Sequence, residues 1–202
     1  MMGKRNKSNL LLIIILLTVT YSCREISVPK PKGHFRIDLP AKNYAQFEGE
    51  SLKNNNMPFS FEYPSYGNLS FQTENNNEPG WFDIDFPKYR AKIYLTYKDV
   101  KNDFEGLMEQ TYKMNVKNHI AKADAISEQP FNNPENRVFG ILYDLKGNTA
   151  SAVQFYVTDS VSHYLRGSLY FSSEPNADSL APVIEFFRAD MIHIIETLKW
   201  NN

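Results

Sequence analysis

Cysteine is almost missing from these 202 residues: Cys23 stands alone. A single thiol excludes an internal disulfide and any CxxC metal or redox motif. Histidine is sparse as well. His34, His119, His163 and His193 never fall at ligand spacing on one element, and there is no HExxH and no acidic calcium loop, so no metal and no cofactor is expected. No GxSxG, P-loop or dinucleotide fingerprint occurs. The formal charge is only −1, which withholds the basic face that a nucleic-acid partner requires. Long apolar runs are lacking too. The run Leu10–Val19 rises only about 15 Å as a helix, half of a hydrocarbon core of about 30 Å, too short to span a bilayer permanently.

What that run does resemble is the h-region of a secretory signal. Lys4, Arg5 and Lys7 precede it and small residues follow it. Thr20, Tyr21 and Ser22 then lead into Cys23, a spacing that resembles a bacterial lipobox, loose at Tyr21. In a lipobox the thiol is acylated and the cysteine becomes the mature N-terminus. Each buried methylene adds about 0.8 kcal/mol to membrane attachment, so two or more chains hold firmly. Residues 1–22 are therefore expected to be a cleaved leader. Residues 23–33, with Pro29 and Pro31, form a lipid anchor and short extended tether. Removing three cations with the leader takes the mature charge to −4. Residues 34–202 are expected to fold as a single globular domain, long enough to bury about 70% of its unfolded surface without disulfides.

Within that domain the period-two signal is strong. HFRIDLP (34–40), FSFEYP (59–64), WFDIDFP (81–87) and AKIYLTY (91–97) alternate as strands, with a short one at Leu69–Phe71. Asn102 or Asp103 caps a helix predicted to run to about Lys122. A strand at Ala125–Phe131 follows, then a hairpin, RVFGILYDL–KGN–TASAVQFYVTD, in which Gly147 and Asn148 supply positive φ. HYLRGSLYFSS (163–173) is the next strand. The last segment is helical, capped by Asp178 or Ser179, with Pro182 in its first turn and an apolar stripe from Leu180 to Leu198. Strand runs with two packing helices indicate an α+β fold, a mostly antiparallel sheet covered by helices. The same order resembles the PsbP-type α/β/α sandwich.

Chemistry-bearing clusters are few. TDSVSHYLRG gathers Asp159, Ser160, Ser162, His163 and Arg166, but neighbours on an extended chain alternate faces, so a serine–histidine pair is disfavoured. A polar hairpin loop is expected, with Asp159 capping the turn and Arg166 in an ion pair. Asp83 and Asp85 share one strand face, expected to be solvated, although a cation or a basic partner could be bound there. An aromatic content of 14% suits both a β core and contact surfaces.

The words PKPKGHFRIDLP, AKIYLTYKDV, KADAI, LYDLKGNTAS, LRGSLYF and IETLKW, in this order behind a lipobox, resemble the gliding-motility lipoprotein D family (GldD) over nearly the whole mature chain. The resemblance implies an envelope lipoprotein required for gliding motility and linked to type IX secretion. It also implies a non-catalytic module that assembles or stabilises partner proteins, not an enzyme. Only Cys23 receives a role by transfer. Partners implied are the membrane, through the acyl chains, and other gliding or type IX secretion lipoproteins and envelope components. The expected location is the periplasmic face of the outer membrane, with the inner membrane as competitor. Candidate contact residues are Trp81, Arg90, Gly147, Asn148, Asp159, His163 and Arg166, which sit on turns or polar strand ends. The alternative is a periplasmic glycan- or peptidoglycan-binding protein or hydrolase, with Trp81 and Tyr89 stacking on a sugar. Asp159-Ser160-Val161 and Asp178-Ser179-Leu180 resemble the short O-glycosylation sequon of gliding bacteria, at Ser160 and Ser179.

Overall fold

The computed structural model describes residues 37–49, 57–71, 80–101 and 103–201. The expected leader, Cys23 and tether, the start of the expected strand at 34–36, residues 50–56 and 72–79, and Asn102 lie outside these residues. β1 (Tyr44–Glu48) forms by pairing with β2 (Phe59–Pro64), and alternating apolar residues build β2, β3 (Asn68–Phe71), β4 (Trp81–Phe86) and β5 (Ala91–Asp99). Helix α1 (Phe104–Tyr112) follows, then β6 (Ala125–Asn133), β7 (Val138–Lys146), β8 (Ser151–Thr158) and β9 (His163–Phe171). Helix α2 (Ala177–Thr197) and a two-residue β10 (Lys199–Trp200) complete the order. The fold is α+β with antiparallel pairing throughout. A seven-stranded sheet runs β3-β4-β5-β9-β8-β7-β6 beside a three-stranded sheet, β1-β2-β10.

Period-two alternation gives the large sheet two unlike faces. Its inner face carries Phe82, Ile84, Ile93, Leu95, Phe155, Leu165 and Leu169, all essentially without solvent contact. Against it lie the small sheet and α2, whose Val183, Phe187, Met191, Ile194 and Ile195 repeat at helical spacing. Rings interlock across the layers: Phe86 and Phe187 centroids are 4.5 Å apart, and Phe47 stacks on Phe82 at 5.5 Å. Each buried ring contributes about 1.5–3 kcal/mol. Arg188 of α2 closes the β7 side, its Nε and Nη2 bonding the two Asp144 oxygens at 2.7 and 2.9 Å. Gly167 in β9 has no room for a side chain, since a Cβ there would meet the Phe155 ring at 2.2 Å.

One polar knot sits at the edge of this core. Asp190 of α2 is wholly buried. It takes Lys42 Nζ at 2.6 Å and accepts from the hydroxyls of Tyr44 at 3.0 Å and Tyr66 at 2.6 Å. Lys42 also donates to the Phe186 carbonyl and lies 3.4 Å over the Phe186 ring. Burial, with the Asp190 carboxylate beside it, pushes the Tyr44 phenol up to about 12.

Several sequence expectations change. Among the described residues of 34–40, Ile37–Pro40 is irregular, and the first strand lies later, at Tyr44–Glu48, where it pairs with β2. The mid-chain helix leaves α geometry after Tyr112. Lys113–Lys117 is a π-helical turn, with Asn118 N–H donating to the Lys113 carbonyl at 3.0 Å, and turns replace helix up to Lys122. Asn176, not Asp178 or Ser179, caps α2, its side chain accepting from Ser179 N–H at 3.1 Å. Pro182 consequently lies in the second turn of α2, inside the helix. In the β7–β8 turn Gly147 has φ 94°, whereas Asn148 does not take positive φ. Asp83 is not solvated but 4% exposed, 3.7 Å from Lys92.

Candidate functional site

The outer face of the large sheet is covered only in part. Over β7 and β8, the π turn after α1 sets Val116 against Tyr143 and Leu145. The Thr111 and Tyr164 hydroxyls meet at 2.6 Å where α1 crosses β9. Over β4, β5 and β9 the face stays open, and a cavity of about 490 Å³ lies between it and α1. Strand register lays out its floor in rows. Trp81 faces Thr96 and Thr96 faces Arg166; two residues along, Asp83 faces Tyr94 and Tyr94 faces Ser168. Trp81 and Tyr94 are 38% and 41% exposed, and Tyr170 meets Tyr94 edge-on at 5.5 Å.

Arg166 is the fixed cation of this floor. Its Nε donates to Asn115 Oδ1 at 3.1 Å and its Nη2 to Gln154 Oε1 at 2.8 Å. The expected ion pair is absent among the described residues: both partners are neutral amides. Burial lowers the Arg166 pKa. The π turn is what places Asn115 here, wholly buried, and Asn115 Nδ2 is the buried side-chain nitrogen with no acceptor among the described residues. Behind Arg166, Gln154 also accepts from Ser168 Oγ at 3.4 Å, and its Nε2 donates to His119 Nε2 at 3.0 Å. That contact requires the imidazole to accept, and burial, with the Arg166 and Lys122 charges, lowers the His119 pKa.

The seven sequence-derived contact residues do not share one patch. Trp81 and Arg166 meet in the cavity. Arg90 turns β4 into β5 at φ 49° and donates to the Ser172 carbonyl. Gly147 and Asn148 occupy the β7–β8 turn, where Asn148 Oδ1 accepts from Ala177 N–H at 2.9 Å. Asp159 and His163 belong to the β8–β9 loop at the other end of the sheet. Asp159 is 4% exposed; its Oδ1 accepts from Val161, Ser162 and His163 N–H at 2.8–3.0 Å, and Arg137 lies 3.3 Å from Oδ2. Burial pushes its pKa up, but the three backbone donors and the His163 charge outweigh it and leave it lowered. His163 Nδ1 meets the Tyr97 hydroxyl at 2.9 Å, not a serine or carboxylate. Tyr97 in turn donates to Asp99 at 2.8 Å, and Trp200 stacks on the imidazole. Tyr89 is turned away from Trp81: its ring packs on Phe187 and its hydroxyl donates to the Asp38 carbonyl, so the two cannot clasp one sugar.

Thr96, Tyr94, Ser168 and Tyr170 also line the cavity, with Lys98 of β5, and none of them stands out in the sequence. Their alternation marks them as one face of β5 and β9, but nothing local shows that these strands are neighbours. Among the described residues no three His, Cys, Asp or Glu side chains gather as a metal site, and no helix is long and apolar enough to cross a membrane.

The profile of one family, described as gliding motility lipoprotein GldD, matches residues 24–200. No curated protein matches the chain. Among solved structures, the solution structure of the cyanobacterial PsbP protein CyanoP from Synechocystis sp. PCC 6803 is similar at 9% identity and TM-score 0.45, covering 85% of this chain and 99% of that one.

Proposed function

From the premise that this chain belongs to the GldD family of gliding motility lipoproteins, we propose that it acts as a non-catalytic assembly module, docking onto and stabilising envelope proteins linked to type IX secretion. Cys23, one residue before the family match begins, carries the acyl chains in this reading, and the periplasmic face of the outer membrane is the location. The observation that carries the proposal is the β8–β9 loop. Asp159 holds three consecutive N–H groups, Ser160 adopts φ 66°, and Val161 is thereby presented rigidly at 63% exposure. A preorganised loop with an apolar tip loses little entropy on binding. The groups that a reaction would recruit there, Asp159 and His163, are engaged in holding the loop and stacking on Trp200.

The test is co-purification from detergent-solubilised envelopes, with bound proteins identified by mass. Wild type is expected to bring down envelope components, and Val161→Asp to lose them while staying folded and membrane-bound. A monomeric wild type without partners would overturn the assembly role. Cys23→Ser is expected to release the protein from the membrane and abolish gliding. Retention with normal gliding would remove the anchor from the account.

A further inference from the structure

The cavity over β4, β5 and β9 asks for an occupant of its own, whatever docks at the β8–β9 loop. Its volume of about 490 Å³ lies inside the ~300–1,000 Å³ typical of ligand sites. A guanidinium offers two pairs of parallel N–H donors. On Arg166 the side-on pair, Nε and one Nη2 proton, is used by Asn115 and Gln154. The end-on pair, Nη1 with the second Nη2 proton, has no partner among the described residues. A partly buried cation held by two neutral amides is left with charge that only an anion neutralises, and a carboxylate matches the end-on pair bidentately.

The other walls narrow the choice. Trp81 and Tyr94 present aromatic surface to solvent, which suits a ligand with an apolar ring face. Thr96, Ser168 and Gln110 line the same cavity, and their side chains both donate and accept hydrogen bonds. A bare carboxylate leaves the aromatic walls unused. A neutral sugar leaves Arg166 unmatched, and an aromatic acid has no hydroxyls for Thr96, Ser168 and Gln110. A pyranose that carries a carboxylate meets all three requirements with one apolar face, several hydroxyls and one negative charge.

We propose that this cavity binds an acidic sugar, with its carboxylate on the end-on edge of Arg166, its apolar face on Trp81 and hydroxyls toward Thr96 and Ser168. Asn115 and Gln154 act as positioning residues that keep the guanidinium fork aimed.

The chain contains two tryptophans, so Trp200→Phe makes Trp81 the sole indole reporter. The full lipidated protein with that change is titrated in detergent with D-glucuronate, N-acetylmuramate, D-glucose, acetate and a short Asp/Glu peptide, and Trp81 emission is followed. The acidic sugars are expected to shift the emission saturably, with glucose at least about tenfold weaker and acetate silent. Arg166→Gln should weaken the acidic sugars by about tenfold and leave glucose unchanged. Tyr94→Ala, an exposed change that spares the core, should weaken acidic and neutral sugars alike. Response to N-acetylmuramate alone would support the proposal with a cell-wall source, and equal response to glucuronate would support it with a polysaccharide source. No saturable shift with either acidic sugar, glucose binding as tightly, or the peptide binding tightest would overturn it. Val161 lies in the β8–β9 loop at a sheet end, outside the cavity, so failure here leaves the assembly reading standing.

Discussion

The two faces of the seven-stranded sheet obey one backbone alternation and do opposite things. Inward, residues two apart are Phe, Ile, Leu and Val, sealed by α2 and the small sheet. Outward, the same spacing presents Trp81, Asp83, Tyr94, Thr96, Arg166 and Ser168, and α1 leaves Trp81 and Tyr94 exposed. Removing apolar area from water needs only shape and volume, so the inner face tolerates no exposure. Polar groups held in register by strand pairing find partners locally, as Asp83 does in Lys92 and Ser168 in Gln154. The inner face thus carries the stability, while the exposed rings of the outer face can change at little cost.

The sharpest way to break that comparison is Phe187→Ala, which empties the space between α2 and Phe86. About 3–5 kcal/mol of stability should be lost, read by urea unfolding monitored by circular dichroism. Smaller, about 2–3 kcal/mol, is the loss expected for Asp190→Asn, which strips the charge that Lys42 and two tyrosine hydroxyls point at; part of the cost is relieved because Lys42 can turn to water. Unchanged stability in the denaturation midpoint would show that this polar knot is incidental.

Asp159→Asn should cost about 1–2 kcal/mol at neutral pH, since an amide accepts the loop N–H groups more weakly. Its pH dependence has a fixed sign. The folded carboxyl titrates below its ordinary value of about 3.9, so its contribution is complete above about pH 4 and fades as pH falls through the folded value. Wild type and variant stabilities should therefore converge as pH falls, and a gap that does not narrow in acid would refute the assignment. Least of all, Trp81→Ala on the open face should change stability by no more than about 0.5 kcal/mol while removing the ring from the cavity. A large thermal destabilisation there would erase the distinction between the faces.

Much of the fold is legible because period-two and helical stripes are local signals. Phe59–Pro64, Trp81–Phe86, the β7–β8 hairpin and α2 all declare themselves within a dozen residues or so. Tyr44–Glu48 escapes because YAQFE has one buried apolar side chain, Phe47, and gains its identity only by pairing with β2. The π turn at Lys113–Lys117 escapes for a related reason. Its helical period is intact in sequence, and only burial of Asn115 against Arg166 rewards the wider turn. The cavity was half visible. Trp81 and Arg166 were chosen for their positions, but their meeting depends on β5 pairing with β9 across some seventy residues. An amide shell around Arg166, where an acidic partner was expected, is a tertiary fact with no local signature.

The Lys42–Asp190 contact has a mechanical side. Lys42 lies two residues ahead of β1, and its ammonium is fastened to a helix in the middle of the body. A pull applied at Ile37 is therefore delivered to α2 before it can peel β1 from the rim of its sheet. The fastening makes Lys42 a strain-relief point, of the sort a cable needs where it enters a housing.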